Sequence, residues 1–450
     1  MKRAFDLVVV GAGPAGLMAA VTAAKEGLQV ALVERKTEIA SIKRSCCSMI
    51  INEPDTHGEC VTIGNNKIVF HRRDFSVPYN GPYIPLKQCI RFSPKGYKLL
   101  VERNEDPVSI AINKEILLEG LLKEASALGV TVFSGTLGLK AANNARTVTV
   151  TVRQEDRTFE IIGKTAIASD GLNSRLVENL GLNKGRKFIG TFPVLTYYME
   201  GVECPHPPAW IVFVGKGHYP SQKGQLDFLP KPQKDGSWLY ELSYGRPIID
   251  NRSLQVDLDW FVSKSTFAPW FKKARIAKIL SAVMNFYTPI LDPQAGRLLI
   301  VGDAACFIEV YNQGGLMYGH AAAQAIAKFL RTGKGFEDYT EFWRKTFGYN
   351  QPGAIENTLK GFGLHVMEDD ELDYLFSLTD KETYKGYVNE YTFPAIIMGA
   401  FMSHISEIRR DRPKLAQKIK KLSQVSIEEF LQVDKKGRGK GHKKSKGKIR

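Results

Sequence analysis

Residues 5–36 read FDLVVVGAGPAGLMAAVTAAKEGLQVALVERK. Leu7 to Val10 is a short, continuous, β-branched apolar run, the signature of a strand covered on both faces. Gly11, Ala12, Gly13, Pro14, Ala15 and Gly16 follow at once. An alanine-rich stretch from Pro14 to Lys25 then predicts a helix, Gly27 ends it, and Gln29 to Val33 predicts a second strand closed by Glu34 and Arg35. The small residues have mechanical roles. Gly11 permits a tight turn, Gly13 leaves room for a pyrophosphate, and Gly16 lets the helix lie on the strand. The helix start offers unpaired N–H groups and partial positive charge to phosphates. Glu34, eighteen residues after Gly16, can accept hydrogen bonds from a ribose diol. A glycine pattern alone would fit any tight βαβ turn. With a strand before it, a helix after it and an acid at this spacing, it predicts dinucleotide binding.

Two distant segments carry similar punctuation. Residues 163–182, GKTAIASDGLNSRLVENLGL, predict a strand ending at Asp170-Gly171 and a helix opened by Ser174-Arg175. Residues 298–315, LLIVGDAACFIEVYNQGG, predict a strand ending at Gly302-Asp303, with a helix starting after Gly314-Gly315 at Leu316. Together the three segments resemble the FAD fingerprints of the flavoprotein monooxygenase and geranylgeranyl reductase superfamily. The resemblance implies an α/β fold: a Rossmann-type FAD-binding domain of the p-hydroxybenzoate hydroxylase-like kind, an inserted antiparallel-sheet substrate domain and a C-terminal helical region. It implies that the glycine turn holds the ADP part and that Asp170 supports the pocket. It places Asp303 on a ribityl hydroxyl, and Gly302, Gly314, Gly315 and Leu316 against the flavin edge. Residues 38–49, EIASIKRSCCSM, and 112–135 look most like the geranylgeranyl reductase branch, which implies Arg44 near the pyrophosphate. Ala40, Lys114, Val310 and Gln313 stand where that branch has glycine, arginine, proline and glycine. No second glycine fingerprint opens a βαβ unit, so electrons are expected from visiting NAD(P)H or from ferredoxin.

The resemblance also places the loops after Arg44 and Asp303 beside the flavin ring. Cys306 and Cys46 or Cys47 are then either a redox pair or small apolar fillers. Tyr311 is a candidate proton relay, with Glu309 and Asn312 on its loop. His57 and His320 are isolated histidines, and His320, on an alanine-rich stretch, reads as packing. Six cysteines without a C-x-x-C pair indicate no metal.

The 450 residues suggest more than one domain. Residues 1–75, 110–182 and 285–335 are expected to form a discontinuous FAD-binding domain, and 76–109 with 183–284 the substrate domain. In the latter, Tyr197, Trp210, Phe213, Phe228, Trp238, Tyr240 and Tyr244 either wall an apolar pocket or form plain sheet core. Residues 336–433 read as helices, including the apolar YTFPAIIMGAFMSHI, too short to span a bilayer and suited to a buried or lid helix. Residues 434–450 form a basic tail within a chain of net charge +15. A block of like charge with glycines is expected to stay solvated, either as a solubiliser touching RNA without specificity or as a tether to anionic lipid. Asp6 and the glycines argue against a secretory signal, and reduced thiols suit a cytoplasmic location, at the inner face of the membrane if the tail engages lipid.

The expectation is an FAD oxidoreductase that reduces or dehydrogenates a C=C of a hydrophobic isoprenoid or quinone-like substrate by hydride transfer at flavin N5. The alternatives are an aromatic monooxygenase and an electron-transfer flavoprotein serving a quinone or a protein partner.

Overall fold

The computed structural model describes residues 5–51, 53–219, 224–246, 252–306, 311–361, 364, 367–389 and 392–422. Glu309 and the basic tail lie outside these residues, as does the side chain of Tyr311.

The strand Phe5–Val10 pairs in parallel with Val30–Val33 on one side and with Arg157–Ala168 on the other. Thr131–Phe133 adds in parallel beyond Val30–Val33, and Leu298–Ile300 runs parallel to the end of Arg157–Ala168. Three segments far apart in the chain thus meet in one sheet. Their strands are almost wholly buried, as unbroken apolar runs require when helices and loops cover both faces. The first half of Arg157–Ala168 turns away and pairs antiparallel with Val148–Gln154, which pairs with Thr136–Asn143.

Helix Pro14–Lys25 covers the sheet, and helix Tyr311–Thr332 packs along it. The two helices approach closely at Gly319, where a Cβ would stand 2.2 Å from the Ala15 carbonyl oxygen. Helix Phe336–Thr346 closes the same core: Tyr339 donates its hydroxyl to the Ile300 carbonyl at 2.9 Å, and the Trp343 indole donates to the Ile290 carbonyl at 2.8 Å.

The second large sheet runs Arg275–Tyr287, Phe188–Glu200, Trp238–Gly245, Gln225–Pro232, Ala209–Phe213, Gln88–Phe92, Lys98–Glu102 and Thr383–Tyr384. It departs from pure antiparallel order in two places. Ala209–Phe213 runs parallel to Gln88–Phe92, and Thr383–Tyr384, from the otherwise helical C-terminal region, joins parallel to Lys98–Glu102. Side chains alternate across a strand, so residues three apart face opposite ways. Tyr197, Phe213, Phe228, Tyr240 and Tyr244 accordingly pack on the far face, around Phe261 of helix Leu254–Lys264. Trp238 is exposed. Of the seven aromatics expected as a pocket wall, Trp210 alone faces the interior cavity. Apart from the exposed Trp238, the others follow the plain-core alternative.

The C-terminal helices Asp369–Thr379, Phe393–Ser403, Ile405–Asp411 and Pro413–Leu422 share a core with Trp210, Val212 and Leu229. They seal the cavity side of the second sheet. Phe393–Ser403 is a wall helix with Phe393, Ile397, Ala400 and Phe401 buried and its other face exposed, and no helix among the described residues is long and apolar enough to cross a membrane.

Candidate active site

A single cavity of about 1050 Å³ runs between the two large sheets. At one end it is lined by the glycine turn and the second strand's end: Gly11, Gly13, Pro14, Ala15, Glu34 and Arg35. Its middle is lined by Arg44, Cys46, Cys47, Asp170, Gly302, Asp303, Asn312 and Gly315. Its far end is bounded by Trp210, Leu229, Phe393 and Ile397. Of the expected cofactor residues, Ala12, Gly16, Gly314 and Leu316 stand behind this wall.

The turn is built by contact with the second of the three segments, residues 163–182. Gly11 has φ +99°, and a Cβ there would meet the Ser169 carbonyl oxygen at 2.2 Å. A Cβ at Gly16 would stand 1.8 Å from the Gly11 carbonyl oxygen, so only glycine lets the helix start so close to the strand. Ser169, not singled out from the sequence, locks the arrangement by donating its hydroxyl to the carbonyls of Val10 (2.9 Å) and Gly11 (3.0 Å). Gly13 is different. A Cβ there would meet nothing within 4 Å, so its front is open space at the N-terminus of helix Pro14–Lys25. The buried Glu34 carboxylate receives the Ala12 N–H at 2.7 Å and the Lys36 N–H at 3.0 Å. It is held at the cavity wall by backbone, with acceptor capacity to spare.

These features fit FAD. The open space at the helix start suits a diphosphate, Glu34 suits a ribose diol, and Asp303 lies farther along the same cavity. Arg44 reaches Asp303, with 3.4 Å between Nη2 and Oδ2. Asp170 acts mainly on its own loop, accepting the Ser174 hydroxyl at 2.5 Å and the Arg175 N–H at 2.9 Å. Burial raises its carboxyl pKa, and the hydrogen bonds pull it back. Helix Tyr311–Thr332 already includes the glycine pair, so Gly314 and Gly315 lie within its opening turns rather than before it. Asn312 in the first turn is buried and donates its amide to the Met49 carbonyl at 3.0 Å.

The cysteines separate. Cys306 is fully buried in the core of the first sheet, its sulfur 3.7 Å from the Gly302 carbonyl, and it does not line the cavity. Cys46 and Cys47 do line it. No cysteine among the described residues forms a disulfide, so the proposed pairing of Cys306 with Cys46 or Cys47 is not found; Cys306 takes the filler role. No cluster among the described residues could hold a metal ion.

Residues not read from the sequence as site candidates surround Cys46. Lys114 donates to its sulfur at 3.1 Å. Lys231, on Gln225–Pro232, pairs with Glu241, on Trp238–Gly245, at 3.0 Å, and their side chains are 6% and 3% exposed. Burial raises the Glu241 carboxyl pKa, partly offset by Lys231. Ser45, Thr196 and Ser243 form a hydroxyl chain with 2.8 Å steps across the sheet. Next along the cavity, the Trp210 indole donates to Asp227 at 3.1 Å. Burial raises the Asp227 pKa. Both isolated histidines pack. His57 stacks on Phe347, and His320 stacks on Phe75 with its Nδ1 2.9 Å from the Thr22 hydroxyl.

Residues 6–57 match the family described as FAD binding domain. Along most of its length the chain is similar to digeranylgeranylglycerophospholipid reductase 1 of Methanococcoides burtonii, with 24% identity over 440 residues, covering 93% of this chain and 97% of that protein. It is also similar to the digeranylgeranylglycerophospholipid reductase of Methanocaldococcus jannaschii, with 26% identity over 389 residues, covering 83% and 90%. Among solved structures, a geranylgeranyl bacteriochlorophyll reductase-like protein of Thermoplasma acidophilum superposes with a TM-score of 0.68 at 19% identity, covering 93% of this chain and 99% of that one. The p-nitrophenol 4-monooxygenase of Pseudomonas putida gives 0.63 at 13% identity, covering 90% and 98%. The two structures share the fold with this chain.

Proposed function

We propose that this chain, a flavoprotein of the geranylgeranyl reductase-like branch, is an FAD-dependent reductase of C=C bonds in isoprenoid lipids. One observation carries the reading: one cavity of about 1050 Å³ is lined both by the dinucleotide turn and by the apolar Trp210, Leu229, Phe393 and Ile397, room for a hydrophobic chain beside a bound flavin. Similarity to digeranylgeranylglycerophospholipid reductases along most of the chain supports an isoprenoid substrate.

Bound FAD would supply the two-electron reduction. The chain's residues bind, orient and exclude water. The N-terminus of helix Pro14–Lys25 would take the diphosphate, Glu34 the adenosine ribose and Asp303 the ribityl chain, with Arg44 balancing charge at the middle of the cavity. Gly302, Gly315 and the first turn of Tyr311–Thr332 would face the flavin edge. Helix Phe393–Ser403 closes the chamber with apolar side chains. Electrons would come from NAD(P)H or ferredoxin. The basic tail would hold the enzyme near the lipid surface from which its substrate is drawn.

The test is anaerobic. Purified FAD-loaded protein is reduced with NADH, NADPH or reduced ferredoxin, then offered prenyl lipids, quinones and aromatic acids. Reoxidation by a prenyl lipid, with a mass gain of two hydrogens per bond reduced, is the expected result. Reoxidation only in air with oxygen inserted into an aromatic ring would overturn it.

A further inference from the structure

Cys46 lies in the cavity wall, where Lys114 donates to its sulfur at 3.1 Å and the thiol of the adjacent Cys47 interacts with it. The loop itself is clamped. Lys231 donates to the Cys46 carbonyl at 3.3 Å and to the Cys47 carbonyl, and its charge is balanced by Glu241. Tyr198 stands opposite Glu241 in register on the neighbouring strand.

Two ammonium groups and an S–H around one sulfur favour its anionic form. The hydrogen bond from Cys47, with Lys114 and Lys231 beyond it, holds the Cys46 thiol well below its ordinary range, while Cys47, as donor, is pushed well above it. Elsewhere burial dominates: Cys89 is pushed up to about 12, and Cys204 is also raised.

We propose that Cys46 is a peroxide-reactive thiolate, a modification site inside the cofactor cavity, with Lys114 as its activating cation. The oxidant is hydrogen peroxide, the product of reduced flavin and dioxygen. The Cys46 sulfur attacks one peroxide oxygen, an S–O bond forms and the O–O bond breaks. The departing hydroxide takes a proton from the Lys114 ammonium and leaves as water. Sulfur loses two electrons to become a sulfenic acid, and the peroxide is reduced. Condensation with Cys47 is disfavoured, because Cα atoms across one trans peptide are about 3.8 Å apart, below the span of ordinary disulfides. The sulfenic acid therefore persists until an external thiol removes it.

For each unit by which a thiol pKa falls toward ambient pH, the thiolate fraction rises about tenfold and intrinsic nucleophilicity falls about threefold, a net gain of about threefold. FAD-loaded full-length protein is treated with one equivalent of hydrogen peroxide and dimedone, and tagged peptides are quantified by mass spectrometry. Cys46 is expected to label at least about threefold faster than the half-buried Cys60 and Cys204. Lys114→Met is expected to remove that advantage without changing Cys60. Equal labelling of the three cysteines, or a Cys46 rate insensitive to Lys114→Met, overturns the proposal. Should Lys114→Met fail to fold, the wild-type pH profile of iodoacetamide alkylation decides: an inflection at or above about pH 8.5 for Cys46 overturns it, and one below about pH 7.5 sustains it. Peroxide is supplied from outside, so the outcome does not depend on which substrate the cavity reduces.

Discussion

The three glycines of the turn should fail in different ways when each becomes alanine. Gly13 has φ −76° and ψ −175°, extended backbone open to any residue, and a Cβ there meets nothing within 4 Å. Gly13→Ala should leave the stability of the FAD-free protein within about 0.5 kcal/mol of wild type, since the poorer helix cap is offset by lower entropy of the unfolded chain. The new methyl instead fills the space that a diphosphate must enter. Overpacking of this kind costs about 1–3 kcal/mol, so FAD affinity should fall about 5- to 150-fold. At Gly16 the methyl would stand 1.8 Å from the Gly11 carbonyl oxygen and 2.6 Å from the Ser169 hydroxyl, and the first contact is with backbone that cannot swing aside. Gly16→Ala should therefore destabilise the FAD-free protein by about 2–3 kcal/mol or more. Gly11→Ala adds a strained positive φ to a 2.2 Å clash and should do no better. Urea unfolding of FAD-stripped protein reads the first quantity, and quenching of FAD fluorescence on titration reads the second. If Gly13→Ala binds FAD like wild type, or unfolds as readily as Gly16→Ala, the reading of the open space as a diphosphate site is wrong.

Glu241→Leu leaves Lys231 charged and unpaired in a dry site, and should cost about 3–5 kcal/mol in urea unfolding, with Lys231→Met/Glu241→Leu recovering most of the loss. A double variant no more stable than the single one would show that the pair is not the issue. Asp170→Ala removes acceptors from Ser174 and the Arg175 N–H, and should lower unfolding free energy by about 1–2 kcal/mol. Burial, with help from Arg73 and Lys25, lowers the His320 pKa to about 4. The folded protein thus keeps His320 neutral while the unfolded chain takes up a proton near pH 6.5, so its stabilising contribution is complete above about 6.5, declines as pH falls, and levels off below about 4 after losing up to about 3 kcal/mol. His320→Phe should flatten that slope relative to wild type; parallel slopes would refute the assignment.

What could be read from the chain beforehand was local. The glycine turn, the helix Pro14–Lys25 and the strand ends at Asp170 and Asp303 each sit within one contiguous stretch whose pattern of small and apolar residues marks it. Proline at the helix start and Gly27 after its end mark that helix without tertiary help. The features that escaped depend on parity or long-range pairing. Whether Trp210 or Phe213 faces the cavity is settled by a one-residue choice of face, which aromatic strands do not announce. Lys231 meets Glu241 only through the register that sets Leu229 opposite Glu241 and Lys231 opposite Leu239. Lys114 reaches Cys46 across 68 residues of sequence, and Thr383–Tyr384 is a two-residue strand inside a helical region. The glycine pair 314–315 looked like a helix boundary, yet the helix runs through it, braced at Asn312 by the Met49 carbonyl.

The strand Leu298–Ile300 sits beside Arg157–Ala168 in the sheet whose first member is Phe5–Val10. A ribosome adding about 5–20 residues per second delivers that neighbour roughly 15–60 s after the amino terminus emerges. Until then the nucleotide cradle has its turn but lacks Gly302 and Asp303, and one flank of Arg157–Ala168 stays uncovered. The complete cradle can therefore assemble only after the last of its three segments has been made.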